Sequence, residues 1–254
     1  MAELEQTMNK KRLLLLAVAA VAVAAAGFQA APSKQAPADP TVAGFMKTTE
    51  SSAADAMDQV VGKRGFMSHD MRPRIPGKIV GRAVTALLRQ TTPDKATPAL
   101  SAKHSVEMID NAKPGEVAVI VVENGLDVAG LGGLMATTAK ARGLAGVIVD
   151  GGVRDIEEIR RLKLPVYSRS VVPSTSVGRW ASVGNNLPVQ CAGVTVRPGD
   201  LIIAGEDGVT VVPKEREAEV LKRALEIDER ESRMIPMILK EKSLSKVIQM
   251  FNRI

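Results

Sequence analysis

The feature that most constrains the fold is Val117–Val122, an unbroken run of small and β-branched apolar residues. A strand with this pattern has no polar face, so both of its faces have to be covered, as in the central strands of α/β sheets. A second apolar run at 147–149 follows a helical pattern over 134–142 that ends at Gly143, a residue suited to a helix C-terminus. Strands that alternate with helices in this way predict an α/β domain.

Further segments extend this alternation on both sides of the apolar runs. A helix is predicted at the start of the domain, with apolar residues on one face and a glycine at its end (Ser51, Ala54, Met57, Val60, Val61, Gly62). Strands are predicted at 78–88 and 166–168, a loop at 93–98, and helices at 104–111 and over the periodic positions Ile156, Ile159 and Leu162, before Pro165. Because only 2% of the residues are aromatic, the core is expected to be aliphatic.

The end of the predicted domain has the character of short strands separated by sharp turns. Turn-forming sequences at 197–200 and 205–208 separate four apolar segments, Val189–Cys191, Val194–Val196, 201–204 and 209–212. The predicted sheet is therefore mixed. A long charged helix from 214 to about 233 and an amphipathic segment at 243–251 follow it. We expect these C-terminal helices, 214–254, to pack on a neighbouring subunit.

The N-terminus has the order of a targeting segment. Lys10, Lys11 and Arg12 precede an apolar run at 13–28, which is shorter than the about 20 residues that cross a bilayer as a helix. We interpret 1–31 as a signal peptide, with an uncleaved membrane anchor as the alternative, so the protein is expected to be exported, periplasmic or secreted. A Pro/Ala-rich linker at 32–50 then precedes the α/β domain at 51–213.

Several classes of function find no support in the residues. The net charge of +6 is spread along the chain, and single Tyr167 and Trp180 residues provide no aromatic series for stacking bases, so no nucleic-acid partner is expected. His69 and His104 lack metal-ligand spacing. Cys191 lies among valines, which indicates a buried strand position without a catalytic role. Lys140 and Lys163 fall on polar helix faces, which disfavours a Schiff-base mechanism.

Two motifs contain the candidate site. Gly132 and Gly133 lead directly into a helix, whose first N–H groups are free to bind an anion. Arg154 and Asp155 follow a glycine pair at 151–152, interpreted as a tight turn at the carboxyl end of a strand, where α/β sheets bind ligands. N–H groups, a guanidinium that grips a carboxylate and a carboxylate that binds a divalent metal together suit a short 2-oxo acid whose enolate needs stabilisation.

Each acidic residue of these motifs also has a structural interpretation. Asp155 begins the next predicted helix and could serve only as its N-terminal cap. Asp150 is either a turn former or a hydrogen-bonding partner of Arg154.

In five segments, at 132–143, 146–155, 164–169, 196–202 and 207–213, the chain resembles the class II 4-hydroxy-4-methyl-2-oxoglutarate aldolases and the RraA-like proteins, which are regulators of ribonuclease E activity. The resemblance extends from about residue 51 to about residue 225. It implies a swivelling β/β/α-type domain with a mixed sheet. It also implies a homotrimer or hexamer with active sites near subunit boundaries.

The resemblance further implies roles for individual residues. Asp155 would hold Mg²⁺ or Mn²⁺ and Arg154 would bind the pyruvoyl part of the substrate. The carboxylate would lie in a cradle formed by the backbone of Gly132, Gly133, Leu134 and Met135. Gly133 stands where the founding aldolases carry an aspartate, a departure from the pattern. A neighbouring subunit would also supply a glutamate, for which the candidates are Glu226, Glu229 and Glu231.

We therefore expect a divalent-metal-dependent lyase that cleaves short 2-oxo acids through a pyruvate enolate, of the 4-hydroxy-4-methyl-2-oxoglutarate aldolase or oxaloacetate decarboxylase type. The alternative is a non-catalytic binding or regulatory protein on the same scaffold. A periplasmic protein that binds small carboxylates without chemistry is a third hypothesis.

Overall fold

The computed structural model describes residues 39–251. Its helices are α1 (Pro40–Phe45), α2 (Glu50–Val60), α3 (Pro98–Ser101), α4 (Lys103–Asn111), α5 (Gly133–Ala141), α6 (Ile156–Leu162), α7 (Glu217–Glu241) and α8 (Leu244–Phe251). Its strands are β1 (Arg72–Ile75), β2 (Ile79–Gln90), β3 (Val117–Val122), β4 (Ala129–Leu131), β5 (Gly146–Val153), β6 (Val166–Val171), β7 (Trp180–Asn185), β8 (Val189–Cys191), β9 (Val194–Val196), β10 (Leu201–Gly205) and β11 (Gly208–Val212). The predicted signal segment lies outside the described residues.

Nine strands form one mixed, nearly closed sheet, which confirms the predicted α/β class. Its order is β1-β6-β5-β3-β2-β10-β11, with β4 beside β5 and β7 beside β2. Strands β2, β3, β5 and β6 are parallel, as is β4 to β5, whereas β1, β7, β10 and β11 run antiparallel to their partners. Strands β8 and β9 form a separate hairpin. The carboxyl ends of β4, β5 and β6 consequently meet at one edge.

Both faces of the central strands are buried, as the apolar run in β3 requires. Ala118, Ile120 and Val122 of β3 pack in a core cluster with residues of α4, α5 and α6. The alternating residues Val117 and Val119 pack in a second cluster with residues of the β8–β9 hairpin and of β10 and β11. A third cluster joins α2 and α7 to β10 and β11. The core is aliphatic, as the composition predicted.

The glycine pair before Arg154 is not a turn, contrary to the prediction. Strand β5 continues through it to Val153, with a register irregularity between Val149 and Gly152 and a φ of 150° at Gly151. A Cβ atom at Gly152 would lie 2.5 Å from Val172 Cγ2 and 2.8 Å from the Val128 carbonyl oxygen. Glycine is needed here for close packing of neighbouring backbone, so the candidate arginine directly follows the strand.

The structure differs from the prediction in a helix inside the predicted linker, in the buried face of α2 and in three additional strands. The predicted linker at 32–50 contains α1, in which Phe45 is fully buried and Asp39 caps the first turn. On α2 the buried apolar residues are Ala53, Ala56 and Met57, so Ala54 is not the core position that was predicted. Strands β1, β4 and β7 were not predicted, because none of them contains a long apolar run.

The C-terminal helices form a hairpin. Helix α7 extends beyond the predicted end, through Pro236, and α8 contacts α7. Met234 and Val247 are buried, whereas Leu239 and Met250 are 72% and 59% exposed. Packing of this hairpin on a neighbouring subunit stays a prediction. Among residues 39–251, no helix is both long and apolar enough to span a bilayer.

Candidate functional site

The two sequence motifs meet at the edge formed by the carboxyl ends of β4 and β5. These strands are parallel neighbours, and Leu131 is in register with Val153. The Arg154 N–H group donates to the Leu131 carbonyl oxygen at 3.1 Å. The residue after each strand, Gly132 or Arg154, therefore lies at the same edge although the two are distant in sequence.

Both side chains of the Arg154–Asp155 pair lie against Gly132. A Cβ atom on Gly132 would be 2.9 Å from Asp155 Oδ2 and 3.0 Å from Arg154 Nε. The two side chains are 3.6 Å apart between Nε and Oδ2, and they are 42% and 43% exposed. A small anion approaching from solvent can therefore reach the guanidinium beside the glycine backbone.

Asp155 does not cap its own helix. Its backbone has a left-handed conformation, with φ of 59°, and its carboxylate makes no hydrogen bond to the N-terminus of α6. Instead, Asp155 Oδ2 accepts a hydrogen bond of 2.9 Å from the N–H group of Gly133, the first residue of α5. The interpretation of Asp155 as the cap of the following helix is wrong, because it interacts with the N-terminus of a different helix.

One N–H group of the predicted backbone cradle is already used by Asp155. The Gly133 N–H group, predicted to bind substrate, already donates to Asp155. Leu134 and Met135 lie in the first turn of α5, where N–H groups have no partner within the helix. Leu134 is 85% exposed, whereas Met135 packs partly against the core. The N–H groups of these two residues are therefore free of helical hydrogen bonds at this helix end.

Glu158 is a site residue that the sequence did not identify. A Cβ atom on Gly133 would lie 2.5 Å from Glu158 Cδ and 2.9 Å from Glu158 Oε1, so this carboxylate occupies the space beside Gly133. A side chain at position 133 could be accommodated only if Glu158 moved. The available signal was the Asp-x-x-Glu spacing at 155–158, because a glutamate at the third position of a helix can reach back toward the residue that precedes it.

A cleft of about 620 Å³ opens beside this group of side chains. Its charged lining consists of Arg154, Asp155, Glu157, Glu158 and Arg161. The opposing wall is formed by apolar residues at the end of β6 and just after it, Val171, Val172 and Pro173. The cleft therefore combines charged groups with an apolar surface, as binding sites for small organic acids require.

The residues fit a hydrated divalent cation rather than one enclosed by protein ligands. Within residues 39–251, no group of three or more His, Cys, Asp or Glu side chains is placed to hold a metal. Mg²⁺ commonly uses one or two carboxylates and retains several water ligands. Asp155, which lies against Gly132, could supply such a carboxylate.

Asp150 is not a partner of Arg154. Its carboxylate accepts hydrogen bonds from Arg169 at 3.1 Å and from the Ala192 N–H group at 2.5 Å. Successive residues of a strand face opposite sides, and Asp150 shares the side of Ile148, which packs with the β8–β9 hairpin. The hypothesis that Asp150 orients Arg154 is therefore wrong.

Arg169 connects Asp150 to a second acid, Asp70, at 2.8 Å. Partial burial alone raises the pKa of the Asp70 carboxyl, but hydrogen bonds from Ser68 and Arg169 outweigh it, and the pKa lies below its ordinary value. The same two acids keep the pKa of Arg169 above its ordinary value despite partial burial. Asp150 and Arg169 line a separate cleft of about 790 Å³. These charged groups form ion pairs and hydrogen bonds with one another, and these contacts stabilise the fold around β6.

The remaining candidates stay outside the site. Cys191 is fully buried, and burial raises the pKa of its thiol well above the ordinary value, consistent with a structural role. His104 Nδ1 hydrogen-bonds to Glu107 at 2.9 Å. Glu226 pairs with Arg223 at 3.0 Å on α7. The role of Glu226, Glu229 or Glu231 as the glutamate supplied to a neighbouring subunit stays a prediction.

Comparisons with known proteins agree with this architecture. A protein of Methanocaldococcus jannaschii is 38% identical over 135 residues, which are 53% of this chain and 64% of that protein. A 4-hydroxy-4-methyl-2-oxoglutarate aldolase of Thermus thermophilus is 32% identical over 108 residues, covering 42% of this chain and 65% of that protein. The chain thus spans slightly less than two thirds of the length of each of these relatives.

Solved structures match over a longer stretch. A protein of Pseudomonas syringae superposes with a TM-score of 0.72 and 26% identity, covering 82% of this chain and 96% of that one. RraAS2 of Streptomyces coelicolor, described as an unusual member of the RNase ES inhibitor RraA protein family, has the same fold, with a TM-score of 0.68, 24% identity and coverage of 79% and 98%. The sequence model of the RraA-like family, described as Aldolase/RraA, matches residues 50–211 of this chain. The chain therefore belongs to this family.

Proposed function

We propose that this protein is a divalent-metal-dependent lyase that cleaves short 2-oxo acids through a pyruvate enolate, of the 4-hydroxy-4-methyl-2-oxoglutarate aldolase or oxaloacetate decarboxylase type. The observation that carries the proposal is the position of the Arg154 guanidinium, against Gly132 and beside the first turn of α5. The name of the Thermus relative supports a lyase-type reaction. Function is inferred from this site and not from the fold, because one fold supports many functions.

Substrate binding follows from the positions of the charged and N–H groups. Arg154 binds the carboxylate of the pyruvoyl part, and the N–H groups of Leu134 and Met135 bind it from the helix side. Asp155 is the residue that would hold Mg²⁺ or Mn²⁺, which when bound supplies Lewis acidity toward the 2-oxo group. Arg154 adds a fixed positive charge where negative charge accumulates.

The reaction breaks the bond between C3, the carbon next to the 2-oxo group, and C4. In aldol cleavage the C3–C4 bond breaks, the C4 hydroxyl loses its proton and becomes a carbonyl, and the bonding electrons pass to the enolate of pyruvate. In oxaloacetate decarboxylation CO₂ leaves C3, and the same enolate remains. Protonation of C3 then completes either reaction. The positive charge of Arg154 stabilises the enolate in both cases.

Two further proposals concern the whole protein. We place it outside the cytoplasm on the basis of the predicted signal peptide at 1–31, with an uncleaved N-terminal anchor as the alternative. We also propose a homotrimer or hexamer, since exposed apolar side chains on α7 and α8 offer a surface for a second subunit.

The test is pyruvate formation by the purified protein from 4-hydroxy-4-methyl-2-oxoglutarate and from oxaloacetate, with Mg²⁺ and then with EDTA. Turnover is expected only with the metal. In Arg154→Ala the rate should fall at least ~10²-fold, by analogy with other preorganised donors. Arg160→Ala, which removes an exposed arginine in the last turn of α6, serves as the matched control. Absence of turnover with both acids would favour the alternative of a non-catalytic binding protein.

A further inference from the structure

Glu158 reaches the candidate site from one helical turn beyond Asp155. Side chains on a helix lean toward its N-terminus, and here that direction leads to the edge where α5 begins. The carboxylate lies so close to Gly133 that a Cβ atom there would be 2.5 Å from Glu158 Cδ. The absence of a side chain at position 133 is what lets Glu158 occupy this place. Gly133 and Glu158 are therefore a spatially matched pair.

The two carboxylates of the site differ in what they bind. Asp155 Oδ2 accepts a hydrogen bond from Gly133 and lies 3.6 Å from the Arg154 Nε atom. Within the part of the chain that the structure describes, the Glu158 carboxylate forms no hydrogen bond or ion pair, and the residue is exposed to the cleft. The Oδ2 atom of Asp155 is occupied by backbone and guanidinium, whereas both oxygens of Glu158 remain available to exchange a proton.

The proposed aldol cleavage needs such a group at two points. A base has to remove the proton of the C4 hydroxyl as the C3–C4 bond breaks, and an acid has to protonate C3 of the enolate. One carboxylate can do both, because the proton that it takes from C4 is the proton that it returns to C3. The step is balanced without an oxidant or a further reactant. Breaking the C3–C4 bond of oxaloacetate removes no proton, and the resulting enolate can leave the site and take its C3 proton from water.

We propose that Glu158 is the proton-transfer residue of this site, acting as base toward the C4 hydroxyl and then as acid toward C3 of the enolate. This inference rests on the proposed lyase function. It assigns separate tasks to three neighbouring side chains. Arg154 binds the substrate carboxylate, Asp155 fixes the helix end and holds the cation, and Glu158 moves the proton.

The test uses the full-length protein and the variants Glu158→Gln and Glu157→Gln. Glu157 lines the same cleft from the first turn of α6, but its carboxylate is not among the atoms nearest Gly132 or Gly133. The E157Q variant therefore changes the charge of the cleft without changing the group beside Gly133. Three quantities are compared: aldol cleavage, oxaloacetate decarboxylation, and exchange of the pyruvate methyl protons with D₂O, followed by NMR. In E158Q, aldol cleavage and proton exchange are expected to fall roughly 10²-fold or more. Decarboxylation and thermal stability are expected to remain within a few fold and a few degrees of the parent.

The outcomes separate this inference from the proposed function. A parent protein active with either acid, together with an E158Q variant whose aldol cleavage and exchange match those of E157Q, would overturn the role of Glu158 and leave the lyase intact. Equal loss of all three activities in E158Q would also overturn it, because Glu158 would then act in binding. A parent protein that processes neither acid would overturn both.

Discussion

At the scale of single residues, the glycine pair explains how charged side chains from another strand reach the first turn of α5. Gly132 leaves space for Arg154 and Asp155, and Gly133 leaves space for Glu158. The geometry makes glycine a requirement of the proposed chemistry rather than of the helix, because the backbone of Gly132 is extended and available to any residue.

Replacing Gly133 by alanine tests this relation. The new Cβ would displace the carboxylate of Glu158, a flexible group, so the fold should be retained. We expect aldol cleavage to fall at least ~10-fold with an unchanged melting temperature, since a displaced proton-transfer group loses its alignment. The E158Q variant should then lose little more activity when Gly133→Ala is added. Full additivity of the two changes in kinetic measurements would contradict the coupling.

Asp70 provides a prediction about pH. Its folded-state pKa lies below the ordinary value of 3.8, so the unfolded chain takes up a proton before the folded protein does. The stability contributed by Asp70 is therefore present above that ordinary value and is lost as the pH falls through the folded pKa.

In urea unfolding, Asp70→Asn should lower the free energy of unfolding by up to about 1 kcal/mol at pH 7, and the difference should shrink as the pH falls below 3.8. Asp94→Asn, at an exposed position, is the control. A constant difference across this pH range would show that Asp70 stabilises the fold by packing alone.

At the scale of elements, prediction from sequence succeeded where one physical signal dominated. The apolar run of β3 was predicted with its bounds, and so were β8 and β9, because turn residues delimit them. Strand β1 contains Pro73 between two arginines, and β4 has only three residues, so neither has a periodic pattern to detect. Their positions depend on pairing with β6 and β5, which is tertiary information.

The candidate site was likewise predicted only in part from the sequence. Arg154, Asp155 and the glycine pair were predicted to come together because parallel strands end at a common edge, and the structure brings them together. Sequence could not reveal that Asp155 would bond to Gly133 instead of its own helix, since that contact depends on the left-handed backbone of Asp155. It also missed Glu158, whose position is set by the packing of α6 against α5.

Helix α6 orients the site through one buried side chain. Ile159 is fully buried in the core cluster shared with α5, and it is adjacent to Glu158. We expect Ile159→Ala to reduce the free energy of unfolding by roughly 2–4 kcal/mol, the usual cost of a cavity of this size. Urea unfolding measures this change. A loss well below 1 kcal/mol would mean that α6 is not anchored as the structure indicates.

At the scale of the whole molecule, the C-terminal hairpin of α7 and α8 has apolar side chains that its own chain leaves exposed. Met234 of α7 and Val247 of α8 are buried within the chain. Leu239 of α7 and Met250 of α8 are largely exposed. If the hairpin packs on a neighbouring subunit, as we predict, a charge at these positions has to be buried in the interface, which is costly.

The double variant L239E/M250E should therefore convert a homotrimer or hexamer into smaller species without loss of helicity. Light scattering coupled to size-exclusion chromatography measures the mass, and circular dichroism measures the helix content. An oligomer of unchanged mass would exclude the hairpin from the subunit interface.

The central claim is that Arg154 and the adjoining helix end bind a 2-oxo acid and its enolate. Oxalate is a planar dianion that resembles this enolate, so its affinity reports on the site without turnover. Calorimetry in the presence of Mg²⁺ should show binding to the parent protein and to Arg160→Ala. Binding to Arg154→Ala should be at least ~10²-fold weaker, in line with the loss of a preorganised, charge-assisted contact. Equal oxalate affinity in the parent protein and in Arg154→Ala would contradict the account.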